Sequence, residues 1–392
     1  MNPSRGRWAH ELAGGLGDAG LLIPLAVALI ALNGLSATAV FAGVGIAYIA
    51  TALYFQVPVP VQPLKAFAAA AIALQLDAAT IGAGALLMAA AMAVLALTGL
   101  AGWLAKRFPV VLVRGIQAAV ALLLASAAIE LAEQGNWAGL APIDPAVGVA
   151  MALAAFTVLL ACRRSWRLPG SLLVLGGAAV VGVAVSGAPE GIGLGPGAVP
   201  LSIPDGAAFV TALTALVIAQ IPLTFGNSVV ATVDAERTYF GERARRVRPE
   251  RLAGSIAVWN VLAGVSAGLP VCHGAGGVTA HYRLGARRAA STLAAGALFL
   301  ALALLLGDSL PALLQLLAPG ALAGMLFFVA VQHALLAARL ERLDDRVLAA
   351  GVGLITLLSG NLAIGFGAGV AVLLARRAWT LRAPLGGRHR AA

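Results

Sequence analysis

The polar residues with the clearest chemical meaning, Gln62 and Lys65, lie in a proline-rich stretch between two long apolar runs. Residues 57–65 read VPVPVQPLK, with prolines at 58, 60 and 63. Proline has no N–H donor and favours extended backbone at the residue before it, so a helix cannot run through this stretch. Non-helical backbone at membrane depth is tolerated only where protein or a polar cavity covers it. A lysine in the first turn of the following helix, beside the positive end of its dipole, predicts an anion site.

A second break in the apolar sequence consists mostly of small residues. Its members are His273, Gly274, Ala275, Gly276 and Gly277. Glycine lets a ligand approach the main chain closely, and the free N–H groups of a helix N-terminus carry about half a positive charge. We therefore predict that this break and the first one bind one anion between them. Close helix packing is the alternative role of these glycines.

The side chains at the two breaks each have a second interpretation. Lys65 could extend its amine to the membrane surface instead of reaching the anion. Gln62 could cap the backbone groups that the prolines leave free. His273 could donate to the anion, sense pH or only cap the helix that follows it.

Four uncharged polar residues follow one another at helical spacing in a later apolar segment. They are Gln220, Thr224, Asn227 and Ser228, which share one face of a helix. Gln220 and Thr224 are predicted to contact the anion. Asn227 is a weaker candidate because it could serve the architecture, and hydrogen bonds between helices are the alternative for the whole set.

Asp18 is an ionisable residue within the first apolar run, directly after Gly14-Gly15-Leu16-Gly17. Ionisable groups inside membrane segments are functional candidates by default. Asp18 is therefore predicted to carry a coupling proton or to pair with Lys65. A purely structural carboxylate is the alternative.

The composition defines the class of protein that must position these residues. The chain has 392 residues, of which 61% are hydrophobic and 11% are charged, whereas soluble proteins carry roughly 25% charged residues. This is typical of a polytopic membrane protein. We find no HExxH, GxSxG or GxxxxGK[ST] motif, so the sequence predicts neither an enzyme nor a nucleotide-driven pump. Two cysteines, Cys162 and Cys272, have no spacing that suggests a metal site, and no cofactor is expected.

The apolar segments predict about 14 membrane segments, seven in each half. In the first half they are roughly 11–32, 36–55, 64–76, 79–104, 110–131, 146–162 and 170–187. In the second half they are roughly 207–234, 252–268, 274–286, 289–306, 310–337, 345–358 and 360–375. Segments 64–76 and 274–286 are too short to cross a bilayer alone, and each is preceded by a stretch that contains proline or glycine.

The loops between these segments predict the orientation. Basic residues concentrate in alternate loops, above all the six arginines between Arg237 and Arg251, while the opposite loops carry acidic residues. By the positive-inside rule, both termini are cytoplasmic. A bacterial-type inner membrane is the expected location.

An internal repeat predicts the domain organisation. Ile23-Pro24-Leu25 matches Ile221-Pro222-Leu223, and PVQP at residues 60–63 matches PVCH at residues 270–273. Because seven is odd, the second copy must enter the membrane from the opposite side, which defines an inverted repeat. We predict repeats at residues 1–190 and 205–380, and a matched pair of interrupted short segments is a sequence pointer to a transporter's binding site.

Three motifs identify a family resemblance that covers both halves. PVPVQPLK at residues 58–65, QIPLTFGNS at 220–228 and LPVCHGAGG at 269–277 resemble the PVPVQPMK, QLPLTLLNS and MPVCHGAGG motifs of the molybdate transporter family, a branch near the sulfate permeases. His281 departs from the family's glutamine. The resemblance implies a seven-plus-seven inverted-repeat fold with a core domain and a gate domain formed from both repeats. In that fold segments 64–76 and 274–286 are two half-helices that meet at the midplane, with the substrate between their N-termini. The chain ends soon after its last apolar segment, so the C-terminal soluble domain of sulfate permeases is not expected.

The resemblance implies a secondary active transporter that takes up molybdate or a similar tetrahedral oxyanion, coupled to protons. Related nucleobase permeases place a glutamate where Gln220 stands, and an amide there removes a repulsion toward anions. Sulfate is the main alternative substrate, since nothing in the sequence separates two tetrahedral dianions. A passive anion channel and an intramembrane enzyme are weaker alternatives. The expected partners are the oxyanion, protons and membrane lipid; nucleic acid is not one, and a homodimer is compatible with the sequence.

Overall fold

The computed structural model describes residues 11, 14–17, 19–105, 109–133, 144–162, 170–187 and 192–382. Helices dominate this part of the chain, and one short sheet joins its two halves. Eight helices of the described residues are long and apolar enough to cross a membrane. The prediction of an all-α polytopic membrane protein is therefore confirmed, while the count of 14 segments remains a prediction.

The helices of the first half follow the predicted segments closely. They are α1 (Ala19–Asn33), α2 (Ala37–Phe55), α3 (Lys65–Ala73), α4 (Ala78–Thr98), α5 (Leu100–Ala105), α6 (Val110–Glu133), α7 (Pro145–Cys162) and α8 (Gly170–Ser186), with strand β1 (Gln62–Pro63) before α3. Polar caps set several of the boundaries: the Asp77 side chain accepts a hydrogen bond from the main-chain N–H of Thr80 at 2.8 Å and begins α4.

The second half contains the same kinds of element. They are α9 (Gly206–Ala212), α10 (Ile218–Leu223), α11 (Ala231–Phe240), α12 (Pro249–Val265), β2 (Val271–Cys272), α13 (Ala275–Arg283), α14 (Ala289–Leu306), α15 (Leu310–Gln315), α16 (Pro319–Ala337), α17 (Leu343–Ser359) and α18 (Leu362–Arg382). A 3₁₀ turn at Gly241–Arg246 joins α11 to α12.

The segment that contains Gln220 is longer and less regular than predicted. It is helical from Gly206 to Phe240, whereas the hydropathy pattern predicted an end at residue 234. Two π-helical segments, Leu213–Val217 and Thr224–Val230, flank α10, which contains Pro222. A proline inside a helix cannot donate to the preceding turn, and its ring crowds a carbonyl there. Wider π turns beside it accommodate this defect, and they are frequent at functional sites.

The two interruptions of the apolar sequence, before α3 and before α13, meet as an antiparallel pair of strands. Gln62 lies opposite Cys272, and Pro63 lies opposite Val271. The side-chain amide of Asn260 on α12 holds β2 in place, since its Nδ2 donates to the Val271 oxygen at 2.7 Å and its Oδ1 accepts from the Val271 N–H at 3.2 Å. α3 and α13 start directly after the strands and have nine residues each. Nine residues rise about 14 Å, which is half of a bilayer core. The two predicted half-helices are thus present, and their starts lie side by side.

Helix packing repeats itself between the halves, as an inverted repeat requires. α2 packs on α14, and its counterpart in the other half, α12, packs on α4. Likewise α17 packs on α6, and α7 packs on α16, while α6 and α16 pack on each other. α6, α7, α16 and α17 form one helical group, and α3 of the other group contacts it through α6.

Candidate functional site

Lys65 and Gln62 form a hydrogen-bonded pair at the start of α3. The Lys65 ammonium group donates to Gln62 Oε1 at 2.6 Å. Gln62 is fully buried, whereas Lys65 is half-buried in the first turn of α3. The amine is thus held at the positive end of the helix dipole instead of extending to the surface. The donors of Lys65 that are not used by Gln62 remain available to an anion.

The second half-helix approaches this pair through its glycines. A Cβ atom on Gly274 would overlap Gln62 Oε1 and lie 2.8 Å from Lys65 Nζ. A Cβ on Gly277 would lie 2.6 Å from both Gln62 Nε2 and the Cβ of Pro60. These two glycines therefore allow α13 to pack against β1, which was the alternative role for them.

Gly276 differs from its neighbours because it faces open space. A Cβ atom there would have no heavy atom within 4 Å, and the residue is exposed. It lies in the first turn of α13, where main-chain N–H groups have no partner within the helix. Ala275 beside it is half-buried. This short segment therefore offers accessible main-chain donors next to Lys65.

Gln220 connects the long irregular helix to the start of α3. Its Oε1 accepts a hydrogen bond from the main-chain N–H of Phe67 at 2.8 Å, and its Nε2 donates to Thr224 Oγ1 at 2.7 Å. Phe67 is the third residue of α3, so the amide satisfies one of the free N–H groups at that helix start. Gln220 and Thr224 are both fully buried. In this arrangement they position α3.

His273 holds the two breaks together from the other side. Its Nδ1 lies 2.7 Å from the Pro60 oxygen, and its Nε2 lies 2.9 Å from Ser255 Oγ. Because a carbonyl only accepts, Nδ1 carries the hydrogen, and a neutral ring then accepts from the serine hydroxyl through Nε2. The ring is completely buried. Both ring nitrogens are therefore engaged within the protein.

The π-helical segment Thr224–Val230 supports the second half-helix. The Thr232 hydroxyl, just beyond it, donates to the His273 oxygen at 2.6 Å, and the Asn227 oxygen lies 3.0 Å from the same hydroxyl. Ser228 is buried, and the side chain of Asn227 is half-buried. Asn227 thus contributes its main-chain oxygen to the structure that supports α13.

Asp18, the predicted proton-coupling residue, lies outside the described residues. Three other ionisable residues were missed. For Arg114 and His333, an ionisable residue within an apolar run is a sufficient signal. Arg114 on α6 is half-buried, and its Nη1 donates to Gln117 Oε1 at 2.9 Å. His333 on α16 is buried and lies close enough to Lys65 for their charges to interact. Glu236 on α11 is completely buried.

Solved structures share this architecture. The transmembrane domain of the cyanobacterial bicarbonate transporter BicA aligns with 90% of this chain and 96% of its own, with a TM-score of 0.66 at 17% identity. The transporter SLC26A9 aligns with 97% of this chain and 67% of its own, with a TM-score of 0.65 at 15% identity. The fold is therefore that of multi-pass transporters with an inverted repeat and two half-helices.

The sequence comparisons define the family within that class. A family model described as "Molybdate transporter of MFS superfamily" matches residues 10–124 and 212–332, so the chain belongs to this family. Molybdate transporter 2 of Arabidopsis thaliana is 27% identical over 95% of this chain and 88% of its own length. Molybdate transporter 1 of Chlamydomonas reinhardtii is 38% identical over 38% of this chain and 30% of its own. Family and fold together define an anion transporter and not an enzyme.

Proposed function

We propose that this protein is a secondary active transporter that takes up molybdate or a similar tetrahedral oxyanion. The observation that carries the proposal is the pairing of β1 with β2, which brings the starts of α3 and α13 together beside Lys65. Membership of the molybdate transporter family supports the substrate class. The curated relatives named as molybdate transporters align over nearly the whole chain.

The charge of the site matches a dianion. Each half-helix start contributes about half a positive charge, and Lys65 contributes a full one, which together give roughly two. Gln62 holds the lysine amine without neutralising it. A site with this balance attracts a doubly charged oxyanion, and no carboxylate of the described residues forms an ion pair with Lys65 that would cancel its charge.

We assign two kinds of role to the predicted binding residues. Lys65 and the main-chain N–H groups of Ala275 and Gly276 contact the anion, because they are accessible donors at the junction. Gln62, Gln220, Thr224 and His273 hold the two half-helix starts in register, since their hydrogen bonds join residues of different elements. Gly274 and Gly277 permit the close approach, and Asn227 supports it through the main chain.

Transport would require the two helical groups to move relative to each other. We propose that residues 1–190 and 205–380 form the inverted repeats and that both contribute helices to a core and a gate. The helical group around α6 and α16 is the gate, and it contacts the site through α3. We further propose an orientation with both termini in the cytoplasm, a location in the inner membrane, and uptake coupled to protons.

Binding and uptake by the purified protein test the proposal. We expect saturable binding of molybdate and tungstate, competition by sulfate, and no binding of uracil. In proteoliposomes, labelled molybdate should accumulate when a proton gradient is imposed. Preferential binding of sulfate would instead support the second candidate substrate. Binding of uracil without any oxyanion would contradict the proposed substrate class, and uptake that never exceeds equilibration would indicate a channel.

A further inference from the structure

The most unusual carboxylate of the described residues is Glu236. Its side chain has no exposed surface, and neither oxygen has a hydrogen-bond partner among the residues that the structure describes. An ionised carboxylate that is buried without a partner costs far more free energy than a neutral one. The arrangement seen here therefore requires Glu236 in its protonated, uncharged form.

Glu236 lies directly beside the second half-helix. Thr232, one helical turn earlier on the same face of α11, donates to the His273 oxygen at the start of α13. Further along the same helix, Tyr239 stacks on Tyr282 of α13 with ring centroids 4.4 Å apart. Glu236 lies between these two contacts, in the helix–helix interface that positions α13.

Val233 and Phe240 lie at helical spacing from Glu236 on the same face of α11, and both belong to a buried apolar cluster. The neighbouring side chains of this interface form a buried cluster of Phe55, Val57, Val59, Val233, Phe240 and Val278. Such a cluster excludes water from the neutral acid and opposes its ionisation. Charged and titratable groups of the same elements form no ion pair or hydrogen bond with the carboxyl group in the part of the chain that the structure describes.

On α13, His281 faces Tyr48 of α2, and Tyr282 is engaged with Tyr239. On the 3₁₀ turn, Arg243 donates to the Arg287 oxygen and Arg246 to the Tyr54 oxygen. The remaining charged side chains near this interface are Asp234, Arg237, Glu242, Arg245 and Arg283. None of these groups lies within 4.0 Å of the Glu236 carboxylate as an ion pair in the described residues.

A polar cavity is lined by the residue that follows Glu236 in the chain. It has a volume of about 410 Å³ and is lined by Arg237, Gly241, Glu242, Ala244, Arg245 and Arg248. Arg237 is the next residue after Glu236, and the buried Ala244 belongs to the same apolar cluster as Val233 and Phe240. The cavity is on the arginine-rich side, which the positive-inside rule assigns to the cytoplasm. Its positive charge favours the carboxylate once the apolar contacts open.

We propose that Glu236 carries the proton that is coupled to oxyanion uptake, taking the role that the sequence suggested for Asp18. This inference rests on the proposed function. The neutral acid permits α11 and α13 to pack as observed, with the anion site formed. Loss of the proton to the cavity leaves a carboxylate that cannot stay in the apolar interface, so the support of α13 changes and the site releases its anion. The step moves one proton between a carboxyl oxygen and water.

The test compares Glu236→Gln with a matched control, Asp234→Asn, which alters an exposed carboxylate two residues away on the same helix. With one coupled proton and no membrane potential, a gradient of one pH unit drives about tenfold accumulation of molybdate. We expect this accumulation in the wild type and in D234N. E236Q should exchange labelled for unlabelled molybdate at equal pH but should not accumulate it. Accumulation by E236Q at the wild-type level would overturn the proposal.

Infrared difference spectra between acidic and alkaline pH provide a readout that does not depend on the substrate. We expect the C=O stretching band of a protonated carboxylic acid in the wild type, its loss in E236Q and a shifted band in Glu236→Asp. A band that persists unchanged in all variants would also overturn the proposal. Failure of the wild type to bind any oxyanion would refute the proposed function instead, and the infrared band would still decide whether Glu236 holds a proton.

Discussion

Gly274, Gly276 and Gly277 at the start of α13 allow a sharp test of how the half-helices meet. Gly274 has φ −91° and ψ 136°, an extended conformation that alanine adopts without strain. The effect of Gly274→Ala is therefore steric alone. Its methyl group would displace the Gln62 amide and break the hydrogen bond from Lys65. A hydrogen bond to a charged group contributes about 1.5–3 kcal/mol, so we expect a loss of about 2 kcal/mol in stability.

The two neighbouring positions bracket this value. At Gly277 the added methyl group also meets the ring of Pro60, which cannot rotate away as a flexible side chain can. Overpacking adds about 1–3 kcal/mol, so Gly277→Ala should destabilise the protein more than Gly274→Ala does. At Gly276 the methyl group enters open space, and stability should change by less than about 0.5 kcal/mol.

Thermal unfolding in detergent, with and without molybdate, measures this series. The expected order of stability is Gly276→Ala, then Gly274→Ala, then Gly277→Ala. Gly276→Ala should nevertheless weaken molybdate binding, because its methyl group occupies the space that we assign to the anion. Equal losses of stability for all three variants would refute the packing at the junction. Unchanged affinity in Gly276→Ala would refute the assigned position of the anion.

Three further predictions concern single side chains. Lys65→Ala should weaken molybdate binding at least tenfold, or by about 1.4 kcal/mol, with partial recovery in Lys65→Arg; calorimetric titration measures this, and equal affinities would contradict a role for the charge. Gln220→Glu should abolish uptake in vesicles, because a carboxylate beside the start of α3 repels the dianion; unchanged uptake would remove Gln220 from the site. Asp77→Ala should lower stability by about 1 kcal/mol at neutral pH through loss of the helix cap. Hydrogen bonds from Thr80 lower the pKa of Asp77, so the cap contributes above its ordinary pKa of 3.8 and is lost as the pH falls through the lower folded value. Asp77→Asn keeps a cap that does not titrate, and unfolding curves between pH 2 and 7 should separate the two variants.

Much of the fold could be predicted because its signals are local. Prolines at 58, 60 and 63 interrupt a helix whatever the tertiary surroundings are, because each lacks an N–H donor. The half-helices were expected at 64–76 and 274–286 and are shorter, at Lys65–Ala73 and Ala275–Arg283. The helix around Gln220 extends beyond its predicted end because its last turn contains charged and polar side chains, which a hydropathy pattern does not follow.

The candidate site could be predicted only in part. The motifs indicated the correct two breaks, and their strands pair with each other. They did not indicate which polar groups would form hydrogen bonds within the protein. Gln220 and His273 have the donors that an anion requires, yet both make hydrogen bonds to residues more than 150 positions away. Glu236 was not predicted as a functional residue, because it follows Asp234 near an arginine-rich loop, where carboxylates are normally solvated.

The amino-acid sequence alone determined the membrane class, the two helix breaks and the family, because apolar runs, proline positions and motifs are properties of short segments. Only the tertiary structure decided which groups remain accessible. Lys65 and the main chain at Gly276 stay open, while Gln62, Gln220 and His273 connect the two half-helix starts. The physical reason is that burial and hydrogen bonding depend on partners from distant parts of the chain, which are neighbours only after the two halves have packed together.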